Sequence, residues 1–124
     1  MSGAHLIAYA DRLAGDLPGL RRLLDAELGG AFCGVHVLPF FVPIDGADAG
    51  FDPDDHSAVD PRLGTWDDIA ALAADREVMA DLIVNHVSAR SEPFRDWLAH
   101  GDDSAVAGMF LTPERVFGRA PTAE

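Results

Sequence analysis

Apolar residues fall along this chain in short clusters divided by polar, glycine-rich stretches, and the spacing inside the clusters changes from one to the next. Leu6-Ile7-Ala8-Tyr9-Ala10 is an unbroken run of strand length. Leu17, Leu20, Leu23, Leu24 and Leu28 recur at helical spacing behind Asp16, a residue suited to cap a helix N-terminus, and Gly29-Gly30 ends the pattern. Gly34-Val35-His36-Val37-Leu38-Pro39 predicts a second strand, stopped by Pro39. A connection rich in Gly, Pro and Asp then runs to about Gly64, and Thr65-Trp66-Asp67-Asp68 reads as a capping box opening a helix that carries Ile69, Leu72 and Ala73. Val78–Val84 predicts a third strand with Asn85-His86 at its end. Ser91-Glu92-Pro93-Phe94 opens a further helix with Phe94, Trp97 and Leu98 on one side, Met109-Phe110-Leu111 predicts a short extended piece, and residues 118–124 show no periodicity.

The order strand, helix, strand, long loop, helix, strand, helix predicts an α/β fold with a parallel sheet and right-handed crossovers. The loops after the second and third strands leave strand C-terminal ends, where α/β folds hold their ligands. A loop well beyond ~15 residues is usually functional.

Composition narrows this picture. With 124 residues, 48% hydrophobic and 24% charged, the chain has enough apolar material for one small globular core. Its 21 acidic residues against 9 basic ones leave a net charge of -12, which disfavours nucleic acid and anionic membrane surfaces as partners. A single cysteine, Cys33, has no internal disulfide partner; within Ala31-Phe32-Cys33-Gly34-Val35 it is expected to be a small buried hydrophobe in a reducing compartment. The first residues lack the basic region and apolar stretch of a signal peptide, and no apolar run nears the ~18 residues of a membrane span, so the expected location is cytoplasmic.

The long loop carries the candidate chemistry. Asp45, Asp48, Asp52, Asp54, Asp55, His56 and Asp60 are interleaved with Phe40, Phe41 and Phe51. Carboxylates accept hydrogen bonds from several sugar hydroxyls at once, and aromatic faces cover the apolar patches of a pyranose. Asp and Gly also make turns without any ligand, so composition alone leaves both readings open. The acidic spacing does not match an EF-hand. His86 after a strand can be a ligand or a structural hydrogen-bonder. His5, His36 and His100 lack metal-ligand spacing, so no metal site is expected, and neither a phosphate loop nor a Gly-x-Ser-x-Gly elbow is present.

Five segments in order resemble the sucrose phosphorylases and their close relatives, within glycoside hydrolase family 13. They are Ile7–Leu13, Gly34–Phe41, Gly46–His56, Val59–Asp68 and Ile83–His86. The resemblance covers roughly residues 5 to 117 and implies the first three βα units of a (β/α)8 TIM barrel over residues 1–103. It also implies the start of a small inserted domain over 104–124, both truncated at this chain's end. It implies retaining transfer of a glucosyl group from sucrose to inorganic phosphate, giving α-glucose 1-phosphate and fructose. Sucrose 6-phosphate, glucosylglycerate and glucosylglycerol are the alternative donors. Under the resemblance Asp48 accepts a hydrogen bond from the glucosyl 4-hydroxyl, Phe51 forms the aromatic wall of that subsite and His86 hydrogen-bonds the 6-hydroxyl. Asn85 is structural, no cofactor is required, and the nucleophile and acid/base are expected beyond Glu124, so no catalytic residue lies within this chain. The alternatives are a small non-catalytic sugar-binding α/β module and a truncated product without chemistry.

Overall fold

The computed structural model describes residues 3–43 and 49–118. Two compact units divide the chain, Met1–Ser88 and Ala89–Glu124.

In the first unit, β1 (His5–Ala8), β2 (Gly34–Val37) and a third parallel strand over Glu77–Ala80 form one sheet with β2 in the middle. A parallel arrangement needs long crossovers. The first is supplied by two helices, α1 (Ala10–Ala14) and α2 (Leu17–Ala26). The second contains an antiparallel hairpin, β3 (Phe41–Pro43) and β4 (Pro53–Val59), followed by α3 (Trp66–Ala73), and it ends in β5, the Glu77–Ala80 strand. The α/β fold with a parallel sheet is therefore as the periodicity predicts.

The strand register sorts side chains onto two faces. Leu6, Val35 and Val78 are neighbours in one row, and Ala8, Val37 and Ala80 in another row of that face. This face meets the helices: Val35 and Val37 are fully buried with Leu17, Leu20, Leu24, Phe40 and Leu72, and Leu6 and Val78 pack against them. The opposite face carries Ile7, His36 and Met79, and there Ile7 and Met79 remain exposed while His36 pairs with Asp81 at 3.3 Å.

The helix starts follow the capping signals. The Asp16 carboxylate accepts from the Gly19 amide at 2.6 Å, and α2 buries the leucine stripe behind it. The helix stops at Ala26, short of Gly29-Gly30, with Glu27 as C-cap. Thr65 and Asp68 form the reciprocal box: the Thr65 amide donates to Asp68 Oδ2 at 2.8 Å while Thr65 Oγ1 accepts from the Asp68 amide.

Four expectations are corrected. The first strand ends at Ala8, because Ala10–Ala14 already turns into α1. The third strand stops at Ala80, and Leu82 and Val84 are exposed. Its neighbour β2 runs straight into Leu38-Pro39, and proline has no N–H to extend a ladder. The long connection is not loop throughout, since Pro53–Val59 forms β4, paired antiparallel with β3 and buried at its two ends. Cys33 is half-buried rather than buried, and its thiol donates to the Ala4 carbonyl at 3.4 Å.

In the second unit, Ser91 caps α4 (Glu92–His100), whose Phe94 and Trp97 pack with Phe110, the Trp97–Phe110 rings stacked at 5.0 Å. Leu98, expected on that side, is 63% exposed and outside the cluster. Instead of an extended piece at 109–111, a 3-10 turn over Ala107–Met109 leads to extended backbone at Phe110, and α5 (Pro113–Phe117) follows. Among the described residues no helix is long and apolar enough to cross a membrane.

Replacing a capping threonine removes the bond to an otherwise orphaned amide. Thr65→Ala is expected to lower the stability of the first unit by about 1 kcal/mol, measured as a shift in the denaturant midpoint with unchanged slope.

Candidate functional site

The site begins where β2 ends. Beyond Pro39 the chain enters the β3–β4 hairpin, and the turn that returns it passes directly over Pro39. Gly50 has φ +84°, and a Cβ there would stand 2.9 Å from the Pro39 carbonyl oxygen, so a side chain is excluded by both backbone angle and space. Ala49 before it also lies in the left-handed region, at φ 61°. This tight turn delivers Phe51, an exposed ring, to the strand's end.

The segment after β5 is tied to the same turn. His86 Nε2 lies 2.5 Å from the Phe51 carbonyl oxygen, and the Ser88 amide donates to the Pro53 carbonyl at 3.0 Å. His86 Nε2 must carry the proton to donate to that carbonyl, leaving Nδ1 as an acceptor when the ring is neutral. Two of the three residues expected to contact sugar, Phe51 and His86, are thus brought together although 35 positions apart. The third, Asp48, lies outside the described residues, as does Asp45.

The other loop groups divide by role. Phe40 is buried in the core and Phe41 packs beside it and Trp66, with ring centroids 4.8 Å and 6.3 Å away, so Phe40 is no sugar wall and Phe41 belongs to an aromatic cluster. Trp66 meets Phe40 edge-on at 5.7 Å and donates from Nε1 to the Ser57 carbonyl at 2.8 Å, fixing α3 against β4. Asp55 accepts from the Ser57 hydroxyl at 2.6 Å and amide at 2.7 Å; these bonds hold its carboxyl below the usual range.

Asp60 is only 4% exposed. Burial pushes its carboxyl up, but the hydrogen bonds from the Arg62 side chain and amide, with the guanidinium charge, outweigh burial and hold it below the ordinary value. Its amide donates to the Phe40 carbonyl at 2.8 Å and its carbonyl accepts from Leu63. Asp60 is thus a structural clamp between the end of β4 and the start of the hairpin.

Beside the turn lies a cleft of about 220 Å³ whose lining includes Tyr9, Arg12, Pro39, Gly50, Asp60 and Arg62. Arg12 stacks over Tyr9 at 4.0 Å from the ring centre. This cleft is hidden in the sequence because Tyr9 sits in a run that predicts a strand, Arg12 follows it without a motif, and Arg62 lies in a loop dominated by carboxylates. The proximity of Tyr9-Ala10-Asp11-Arg12 to a strand's C-terminal end was the available signal.

With this geometry in hand, likeness to known proteins is decisive. Residues 6–123 match the alpha-amylase catalytic domain family. The chain belongs to that family. Within it the chain is sucrose-phosphorylase-like. It is 59% identical over 124 residues to the sucrose phosphorylase of Agrobacterium vitis, covering 99% of this chain and 25% of that protein. It is 51% identical over 120 residues to the sucrose phosphorylase of Bifidobacterium adolescentis, covering 96% of this chain and 24% of that protein. The crystal structure of sucrose 6F-phosphate phosphorylase from Thermoanaerobacter thermosaccharolyticum superposes with a TM-score of 0.81 at 41% identity, over 90% of this chain and 23% of that one. A MutB mutant in complex with the substrate sucrose superposes with a TM-score of 0.71 at 26% identity, over 85% of this chain and 21% of that one. The chain spans about a quarter of the length of the curated relatives it matches.

Two tests follow from the turn and the clamp. Gly50→Ala is expected to displace the turn and destabilise the first unit by about 1–3 kcal/mol, seen as a lower denaturation midpoint; an unchanged midpoint would mean the turn is not fixed. Because Asp60's pKa is depressed in the folded state, the stability its pair supplies is fully present above the unfolded-state value of about 4 and fades as pH falls through the lower folded-state value. Wild type and Asp60→Asn should therefore differ most near neutrality and converge in acid, measured by denaturation across pH.

Proposed function

We propose that the protein carrying this chain is a cytoplasmic retaining glucoside phosphorylase that moves a glucosyl group from sucrose to inorganic phosphate, and that this chain supplies part of the glucosyl subsite. The observation that carries the reading is the hydrogen bond joining His86 to Phe51 at the C-terminal end of the sheet, in a chain whose relatives at 59% and 51% identity are sucrose phosphorylases. In this reading β1, β2 and β5 with their crossovers are the first three βα units of a (β/α)8 barrel, the exposed row of Ile7 and Met79 faces the barrel interior, and residues 104–124 begin the small inserted domain.

The roles follow from chemistry. A carboxylate beyond Glu124 attacks the anomeric carbon and forms a glucosyl-enzyme while a carboxylic acid protonates the departing fructose oxygen. Phosphate then takes the glucosyl group, with retention, giving α-glucose 1-phosphate. This chain's residues bind and orient. The Phe51 face covers the apolar side of the pyranose, and Asp48 accepts from the 4-hydroxyl. His86 has Nε2 committed to the Phe51 carbonyl, which leaves Nδ1 to accept from the 6-hydroxyl and keeps ring and wall in register.

The test is phosphorolysis by the natural gene product. It should release fructose and α-glucose 1-phosphate from sucrose plus phosphate. Asp48→Ala and His86→Ala should each lower kcat/KM by about 10- to 100-fold, the span of one or two lost hydrogen bonds to a charged or positioned group. No product from sucrose would redirect the assignment to another glucosyl donor. Full activity in both variants would remove these residues from the subsite.

A further inference from the structure

At the opposite, N-terminal edge of the sheet, three side chains of different chemistry converge. His5 opens β1, Cys33 immediately precedes β2 and Glu77 opens β5. The register sets His5, Gly34 and Glu77 side by side. The His5 ring lies against Gly34, where a Cβ would stand 2.6 Å from Nε2, and a Cβ on Gly3 would stand 3.1 Å from the Cys33 sulfur. Both glycines therefore leave room that any other residue would fill. His5 Nε2 is 2.8 Å from Glu77 Oε2, and the Cys33 sulfur is 3.8 Å from His5 Nδ1. One donor atom from each residue lies within 4.8 Å of the other two.

We propose that His5, Cys33 and Glu77 form a site for a thiophilic divalent cation of the zinc class. Tetrahedral zinc bound by sulfur, nitrogen and oxygen holds its donor atoms roughly 3.3–3.6 Å apart. The Cys33 sulfur stands near that spacing from His5 Nδ1, whereas Glu77 lies on the Nε2 side of the same ring; a turn of the imidazole and a swing of the Glu77 side chain, which is 56% exposed, bring one nitrogen to face both, from donor atoms that already lie within 4.8 Å of one another. Charge fits as well: once the thiol has released its proton to solvent, thiolate and carboxylate balance a dication, with the imidazole neutral. Sulfur and imidazole together select zinc-like ions over magnesium or calcium, which prefer oxygen alone. Such an ion ties the N-terminal ends of all three parallel strands to one point and so stabilises the folded sheet. The site is independent of the sugar-site reading, because it lies at the other end of the strands.

The experiment uses the metal-free natural gene product, titrated with Zn2+ alone by calorimetry and with Co2+ by absorption spectroscopy. One ion should bind per chain, with a near-ultraviolet sulfur-to-cobalt charge-transfer band that zinc abolishes. Zinc, unlike magnesium or calcium, should raise the melting temperature. Cys33→Ser should lose the band, and Cys33→Ser and His5→Gln should each bind zinc at least about tenfold more weakly, a lower bound set by what even outer-sphere partners contribute. Glu77→Gln should weaken binding while keeping the band. Circular dichroism of the metal-free variants establishes that they fold. Absence of stoichiometric binding to the wild type, or the same affinity and band in folded Cys33→Ser and His5→Gln, would overturn the proposal and leave the three residues as a plain hydrogen-bond chain.

Discussion

The arrangement of the first unit depends on what happens at Pro39. The central strand of the parallel sheet ends there because proline offers no N–H to either neighbour. Its carbonyl then becomes the floor for the hairpin turn, and Gly50 can approach it closely only because glycine has no Cβ. The turn presents Phe51, and His86 reaches its carbonyl from the segment that follows the neighbouring strand. One chain stop, one close backbone approach and one hydrogen bond thus gather residues of the second crossover and of the segment after β5 at a single strand end.

The clamps around that point are separate from the residues proposed to bind sugar. Asp60 and Arg62 hold the far end of the hairpin, Trp66 ties α3 to β4, and Asp16 and the Thr65–Asp68 box fix the helix starts. The hairpin's acidic residues belong to that framework. Asp55 and Asp60 are consumed by local bonds, while Phe51 and His86 keep surface available at the strand end.

Local rules made much of this legible from the residues alone. The capping signals at Asp16, Thr65 and Ser91 each mark a real helix start, because capping depends only on near neighbours. The parallel order followed from the alternation of apolar runs. The hairpin stayed hidden because Gly, Pro and Asp dominate its sequence, and its pairing is stabilised by Phe41 and Trp66 rather than by strand propensity. The third strand was overread because Leu82-Ile83-Val84 is apolar enough to extend it; only Ile83 among these is buried. The cluster of His5, Cys33 and Glu77 was illegible for a different reason: its members are far apart along the chain and meet only through strand register.

The strand end marked by Pro39 and Gly50 is proposed to hold a glucosyl ring between the Phe51 face and His86. A crystal structure of the natural gene product soaked with sucrose tests it most directly. The expected result is a glucosyl ring stacked on Phe51, with a hydroxyl hydrogen-bonded to His86 while the His86–Phe51 bond is kept. A sugar lodged instead in the cleft lined by Tyr9, Arg12 and Arg62, with Phe51 and His86 untouched, would contradict it.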